Sequence, residues 1–316
     1  MTPRWAALVS EVRAHPNDNL ANFLDASGRS LEDVLRKDKS WTSLRRTAGK
    51  LTTPEGPLEQ RLVKRVRALA HLDDQTRRDA YTALLNGQRL TSSAEQRFVA
   101  MLFYSLFPDG GDFTDAAAGL TALDGEPVID EMREVIDIAF GAAHRIARPL
   151  VELAPALADV PLAVHARYSR EEILAALGWT AEGRSPSTMR EGVAWCPQVN
   201  ADAFLITLKK TDTDYSPTTM YRDYALNRDL FHWESQSTTS AASPTGQRYL
   251  QHRERGSHIL LFVRENKTNA LGPTPYIFLG PSDYVSHEGD RPIAITWHLR
   301  HPMPTEVYLA SRAAVA

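Results

Sequence analysis

A single cysteine, Cys196, in 316 residues excludes an intramolecular disulfide framework and a zinc site built mainly on thiolates, and fits a reducing compartment. Long apolar runs are missing as well. The stretch from Leu150 to Ala166 is broken by Glu152, Pro155, Asp159 and Pro161, and Met1-Thr2-Pro3-Arg4-Trp5 lacks the apolar core of an export signal. The expectation is a cytoplasmic chain with no membrane partner. Nor is there an excess of one charge: 36 Lys and Arg stand against 39 Asp and Glu, for a net charge of -3, so the molecule is not a polycation that coats nucleic acid indiscriminately. A phosphate cradle of the form G-x-x-x-x-G-K-[ST] is absent, since Gly49-Lys50 lacks the earlier glycine and runs into Leu51. This chain alone should not hydrolyse ATP. The histidines form no H-E-x-x-H, and the one close pair, His298 and His301, reads as an exposed strand end. No cofactor or metal is expected.

What is present is an ordinary globular composition, 43% hydrophobic and 24% charged, with strong local charge. Arg36 to Arg67 holds ten basic residues and three acidic ones, whereas Asp109 to Asp137 holds nine acidic and one basic. The basic block could follow a phosphate backbone, dock on a neighbouring acidic domain, pair with the acidic segment of its own chain, or form a solvated helix face.

Apolar positions at three- and four-residue spacing mark Trp5 to Ala158 as helical, for example Leu58, Leu62, Val66 and Leu69, then Phe98, Leu102 and Leu106. Ser92 with Glu95 forms a capping-box pattern ahead of Phe98 to Phe107, and a further helix is predicted over about Pro127 to Ala147. After Pro161, β-branched and aromatic residues cluster in short runs. One helix is capped by Ser169 with Glu172 and ended by Gly178. Strands are predicted at Ala203 to Lys209, Ser257 to Arg264, Tyr276 to Gly280, Asp283 to Ser286, Ile293 to Leu299 and Glu306 to Leu309. The fold class is therefore α+β: a helical bundle over residues 1–158, then a β-rich curved sheet or pseudobarrel over residues 159–316.

Asp212 to His252 stands apart. Six of the chain's 26 aromatics, Tyr215, Tyr221, Tyr224, Phe231, Trp233 and Tyr249, mix there with Arg222, Arg228 and Arg248 and with many hydroxyls. Rings interleaved with cations and short donors suit a stacked base beside phosphates, although an ordinary core with a polar rim has the same composition. Ser216 and Pro217 read as a helix start whose N–H groups and hydroxyls would face a phosphate, with Met220, Tyr221 and Tyr224 on that helix. In Phe231-His232-Trp233-Glu234-Ser235-Gln236 the alternation puts Phe231, Trp233 and Ser235 on one side and His232, Glu234 and Gln236 on the other. Ser237 to Gly246 reads as a mobile loop.

Several of these runs, Tyr215-Ser216-Pro217-Thr218-Thr219-Met220-Tyr221-Arg222-Asp223-Tyr224, Leu230 to Gln236, Thr245 to Tyr249 and Leu260 to Glu265, resemble the uncharacterised domain at the C-terminus of bacterial superfamily II (DEAD/DEAH-like) helicases. The likeness continues through Leu279-Gly280 and Tyr284 to His287 as far as Trp297, and upstream through His165 to Tyr168 and the helix at Ile173. The first 150 residues resemble the helical stretch between motor and terminal domain. Members of that family carry a phospholipase-D-like nuclease, a motor and this region, and some resemble type IV restriction enzymes that cut DNA bearing modified cytosine. Neither motor nor nuclease is present here, so the resemblance implies recognition of double-stranded DNA, with catalysis in helicase and nuclease domains in cis or trans.

On that reading a 5-methylcytosine-type base is flipped into a pocket. Tyr215, Tyr221, Phe231, Trp233 and Tyr249 are candidate base-binding rings, and His232, Glu234 and Gln236 candidate edge readers. Lys209, Lys210, Ser216, Thr218, Thr219, Arg222 and Arg248 are candidate phosphate contacts. Two alternatives stand beside it. One is a metal-dependent nuclease using Glu265 and Lys267 with Asp223 or Asp202; the other is a protein-interaction platform for a helicase motor.

Overall fold

The computed structural model describes residues 3–16, 19–144, 150–209 and 223–313. By internal contact the chain divides into one compact unit of Met1–Ala147 with Ala270–Gly272, and a second of Arg148–Asn269 with Pro273–Ala316.

The first unit is helical: α1 (Pro3–Ala14), α2 (Leu20–Ser27), α3 (Leu31–Leu35), α4 (Trp41–Ala48), α5 (Glu59–Leu62), α6 (Gln75–Leu85), α7 (Ser93–Leu106), α8 (Ala116–Thr121) and α9 (Val128–His144). Side-chain caps start several of them. Ser92 accepts from Glu95 N–H while the Glu95 carboxylate takes the Ser92 N–H, the reciprocal box expected at α7. Ser40 caps α4, and Asp74 caps α6. The single helix expected through Leu58, Leu62, Val66 and Leu69 is instead α5 followed by a 3-10 turn over Val66–Leu69, which still buries Leu62, Val66 and Leu69. Its apolar spacing was a burial signal, not proof of an unbroken helix.

The second unit is built on one large mixed sheet. Its strands are β1 (Arg167–Tyr168), β2 (Val193–Cys196), β3 (Ala201–Thr207), β4 (Tyr224–Ala225), β5 (Leu230–Glu234), β6 (His258–Arg264), β9 (Tyr276–Glu288) and β10 (Ala294–Leu299). The two-residue strands β7 (Thr268–Asn269) and β8 (Gly272–Pro273) stand outside it. The order is β2-β3-β6-β9-β10-β5-β4, with β1 on β9. Among the described residues only β3 and β6 pair in parallel. Among the described residues nothing joins β2 to β4, so the sheet is open and the barrel-like closure expected as one option does not form. The α+β class holds.

One sheet face carries a hydrophobic core: Phe204 and Ile206 from β3, Ile259, Leu261 and Val263 from β6, Phe231 and Trp233 from β5, and Ile295, Trp297 and Leu299 from β10. Two helices contribute to this core, α11 (Pro244–Leu250) through Tyr249 and α12 (Thr305–Ala313) through Val307. Both depart from expectation. Glu306 to Leu309 was expected as a strand, but Val307 and Ser311, four residues apart, are both buried, a helical spacing. The run Ser237 to Gly246, expected as a mobile loop, ends in α11, which Ser243 caps by accepting from Gly246 N–H. Gly246 is required there because a Cβ would lie 2.1 Å from the Ser240 carbonyl oxygen. Tyr224, expected on a helix, lies in β4. Val164 meets Gly280, whose φ of +92° also favours glycine, and α10 (Arg170–Ala176), boxed by Ser169 and Glu172, buries Ile173 and Leu174.

Candidate nucleic-acid interface

Strand β5 alternates as its sequence dictates. Phe231, Trp233 and Ser235 are buried, and His232, Glu234 and Gln236 are half-buried. The consequence for the rings is the opposite of a base-stacking role. Phe231 is 0% exposed, Trp233 5% and Tyr249 2%, and Trp233 and Tyr249 pack with Phe204 at centroid distances of 4.3 and 5.2 Å. As placed, none of the three offers a face to a base. The large apolar area that suits a ring for stacking also suits it for the core, and position on the strand decides between the two. Tyr215 and Tyr221, with Lys210, Ser216, Thr218, Thr219 and Arg222, lie outside the described residues.

The expected cations are likewise engaged. Arg248 reaches from α11 to the buried Asp202 of β3 with two hydrogen bonds, Nε–Oδ2 2.6 Å and Nη2–Oδ1 2.9 Å, and its guanidinium lies 4.5 Å from the Trp195 ring centroid. Burial pushes the Asp202 carboxyl up, against the pull of Arg248. Arg248 is a core strut, not a free phosphate ligand. Lys209 is paired with Glu265. In the helical unit Arg46 binds the buried Glu59, Arg61 binds Asp109, Arg67 binds Asp38, and Arg65 donates to the Ser105 carbonyl. Arg61 thus pairs with the acidic segment of its own chain, one of the options open for the basic block.

The nuclease set is dispersed. Glu265 follows β6 at the Tyr276 end of β9, because Val263 pairs with Ile277. Asp223 accepts from Glu234 N–H at 3.1 Å, and Glu234 aligns through Ala294 with Glu288. Glu265 with Lys267 and Asp223 therefore sit toward opposite ends of a thirteen-residue strand. Asp202, the other option, opens β3 and is held by Arg248, whereas Glu265 follows the Thr207–Arg264 pair at the far end of that strand. No group of three or more His, Cys, Asp or Glu able to hold a metal occurs among the described residues.

The arrangement that does form lies on the face of the sheet away from Phe231 and Trp233. Directly paired residues point to the same side, so the register Tyr224–His232, His232–Thr296 and Thr296–Ser286 sets four polar side chains in a row across β4, β5, β10 and β9. Tyr224 and His232 lie ring to ring, 4.8 Å apart at 30°. His232 Nε2 is 4.0 Å from a Glu234 oxygen. A register shift between Thr296 and Trp297 keeps Tyr284 with the core-facing Trp297 and leaves Val285 48% exposed.

A second row runs beside it, with Leu230 opposite His298 and His298 opposite Asp283. His258, one step from the Ile259–Ser282 pair, adjoins Asp283. Burial tends to raise Asp283, but hydrogen bonds from Arg300 and Arg253 and their charges outweigh it and hold the carboxyl at about 2. Close by, the His252 Nε2 accepts the Tyr284 N–H at 3.1 Å and its Nδ1 faces the Ser257 carbonyl at 3.3 Å. Burial lowers this imidazole's pKa, which matches a neutral ring with its proton on Nδ1.

Of the expected site residues, then, His232 and Glu234 share this face. Thr296, Ser286, Asp283 and His298, which line up on the same face, were not among the expected site residues. A signal existed in Ala294-Ile295-Thr296-Trp297-His298-Leu299, whose alternation puts Thr296 and His298 on the polar side, but their neighbours come from register that the sequence does not display.

Residues 162–310 match the family model described as Domain of unknown function (DUF3427), a span that takes in the whole sheet from β1 to β10. No curated protein matches the chain. Among the described residues no helix is long and apolar enough to cross a membrane.

Proposed function

We propose that the second unit is a DNA-recognition module that contacts duplex DNA with the outer face of β4, β5, β10 and β9, and that it serves a helicase motor and nuclease of the type IV restriction kind, in cis or in trans. The row Tyr224–His232–Thr296–Ser286 is the observation that carries this reading. Its hydroxyls and imidazole are suited to base edges and phosphate oxygens, and its half-buried rings to stacking. Glu234 on the same face is an acceptor of the kind that takes a cytosine amino group. Catalysis is assigned elsewhere, since Glu265, Lys267 and Asp223 do not converge.

The modified-base part of the reading rests on the helicase resemblance. With Phe231, Trp233 and Tyr249 in the core, an extruded base would have to stack on Tyr224 and His232. Fluorescence anisotropy with matched duplexes, with and without 5-methylcytosine, at fixed salt, tests both parts. Tighter binding to the methylated duplex, reduced by Tyr224→Ala and His232→Ala, is expected. Equal affinity removes the modified base from the reading, and no binding to either duplex at low salt refutes DNA recognition as a whole.

A further inference from the structure

The arginines around Asp283 have charge to spare. The Asp283 side chain is only 13% exposed and takes Arg300 through Nη2 at 2.9 Å and Nε at 3.1 Å, and Arg253 through Nε at 3.2 Å. The Arg253 and Arg300 side chains are 61% and 41% exposed. One carboxylate cannot neutralise two guanidinium groups. Each guanidinium carries five N–H donors, and Asp283 takes one from Arg253 and two from Arg300. The pair is therefore a preorganised cationic fork that faces solvent, pinned from below by a carboxylate that stays ionised.

Its position matters as much as its charge. Asp283 pairs with His298, two residues along β10 from Thr296, which puts the fork's anchor about 7 Å along the strand from the polar row. His258 and His298 flank it on the same face, and among the described residues no carboxylate other than Asp283 bonds to either arginine.

We infer that Arg253 and Arg300, held side by side by Asp283, bind a phosphodiester of the DNA backbone and set the register in which the row Tyr224–His232–Thr296–Ser286 meets the bases. The inference rests on the proposed function, and the two fail differently. Guanidinium groups suit this role because their planar forks match phosphate oxygens in pairs. A contact of this kind is indifferent to sequence and sensitive to salt.

The test uses the full chain and a fluorescent duplex titrated over a series of salt concentrations. Arg253→Gln and Arg300→Gln, which keep a donor for Asp283, should each weaken binding about tenfold for every duplex tested and lower the slope of log K against log salt by about 0.9. Melting curves confirm that each variant is folded. Wild-type affinity and slope in both folded variants would overturn the inference and leave DNA recognition standing; failure of the wild-type chain to bind any duplex would overturn both. Inorganic phosphate at constant ionic strength separates a backbone from a free anion. If it saturates the Arg253 and Arg300 side-chain NMR signals and leaves duplex binding untouched, the fork serves a free anion and the inference falls.

Discussion

Raising the pH should loosen the helical unit through one carboxyl group. Glu131 of α9 is 2% exposed and accepts the backbone N–H groups of Trp41 at 2.6 Å and Thr42 at 2.8 Å, the first two residues of α4. It thus ties two helices by filling donors that a helix start leaves open. Burial pushes its pKa up from the ordinary 4.5 to about 7, opposed by the hydrogen bonds from Thr42, Trp41 and Ser40. Between those values the folded unit holds a proton that the unfolded chain has released, so stability falls as pH rises through the interval and levels off above it. The gap is worth about 3 kcal/mol at about 1.4 kcal/mol per pH unit. Glu131→Gln keeps the shape without the charge, so the variant should gain about 3 kcal/mol relative to wild type between pH 5 and pH 8. Hydrogen exchange of peptides covering Trp41–Ala48 and Val128–His144, with both proteins compared at each pH, reads the difference free of the intrinsic exchange rate. Parallel curves would refute the reasoning. They would mean that the two N–H bonds and the α4 dipole hold the carboxylate ionised despite its burial.

Three further outcomes follow from the sheet unit. Arg248→Ala leaves the buried Asp202 carboxyl without its partner in the core and should cost about 3–5 kcal/mol, whereas Asp202→Leu combined with Arg248→Met should come close to wild type in a thermal melt. Gly246→Ala forces a Cβ against the Ser240 carbonyl and should destabilise the unit by about 2 kcal/mol or more, visible as a lower denaturation midpoint. Trp233→Ala should cost about 3–5 kcal/mol; a folded variant that lost only DNA affinity would contradict its place in the core.

The sequence displayed most clearly what is local. The boxes at Ser92–Glu95 and Ser169–Glu172 need only four residues to be recognised, and both helices begin where those residues put them. The runs read as strands at Ala203, Ser257 and Ile293 correspond to β3, β6 and β10 within a few residues. Errors arose where distant pairing overrides a local cue. Pro281 and Ser282 read as a break between two strands, yet Tyr276 to Glu288 is one strand, because Pro281 sits opposite Leu260 beside a register shift that absorbs it. Glu306-Val307-Tyr308-Leu309 has β-like residues, but Ser311 must reach the Ala225 N–H, which a helix achieves.

The candidate site shows the same division at finer grain. The alternation in Phe231 to Gln236 correctly separated an inner from an outer side; it could not say which side holds the function, because aromatic content points to a core as readily as to a ligand. The neighbours show which side is packed and which is open. Phe231 and Trp233 face Phe204 and Trp297 and are spent on packing, whereas His232 stands between Tyr224 and Thr296 and remains half-open. The surface proposed on this sheet is therefore assembled from residues one step off the conspicuous ones. That is why Thr296, Ser286 and Asp283, unremarkable as single letters, become candidates only when β9 and β10 bring them into register beside β5.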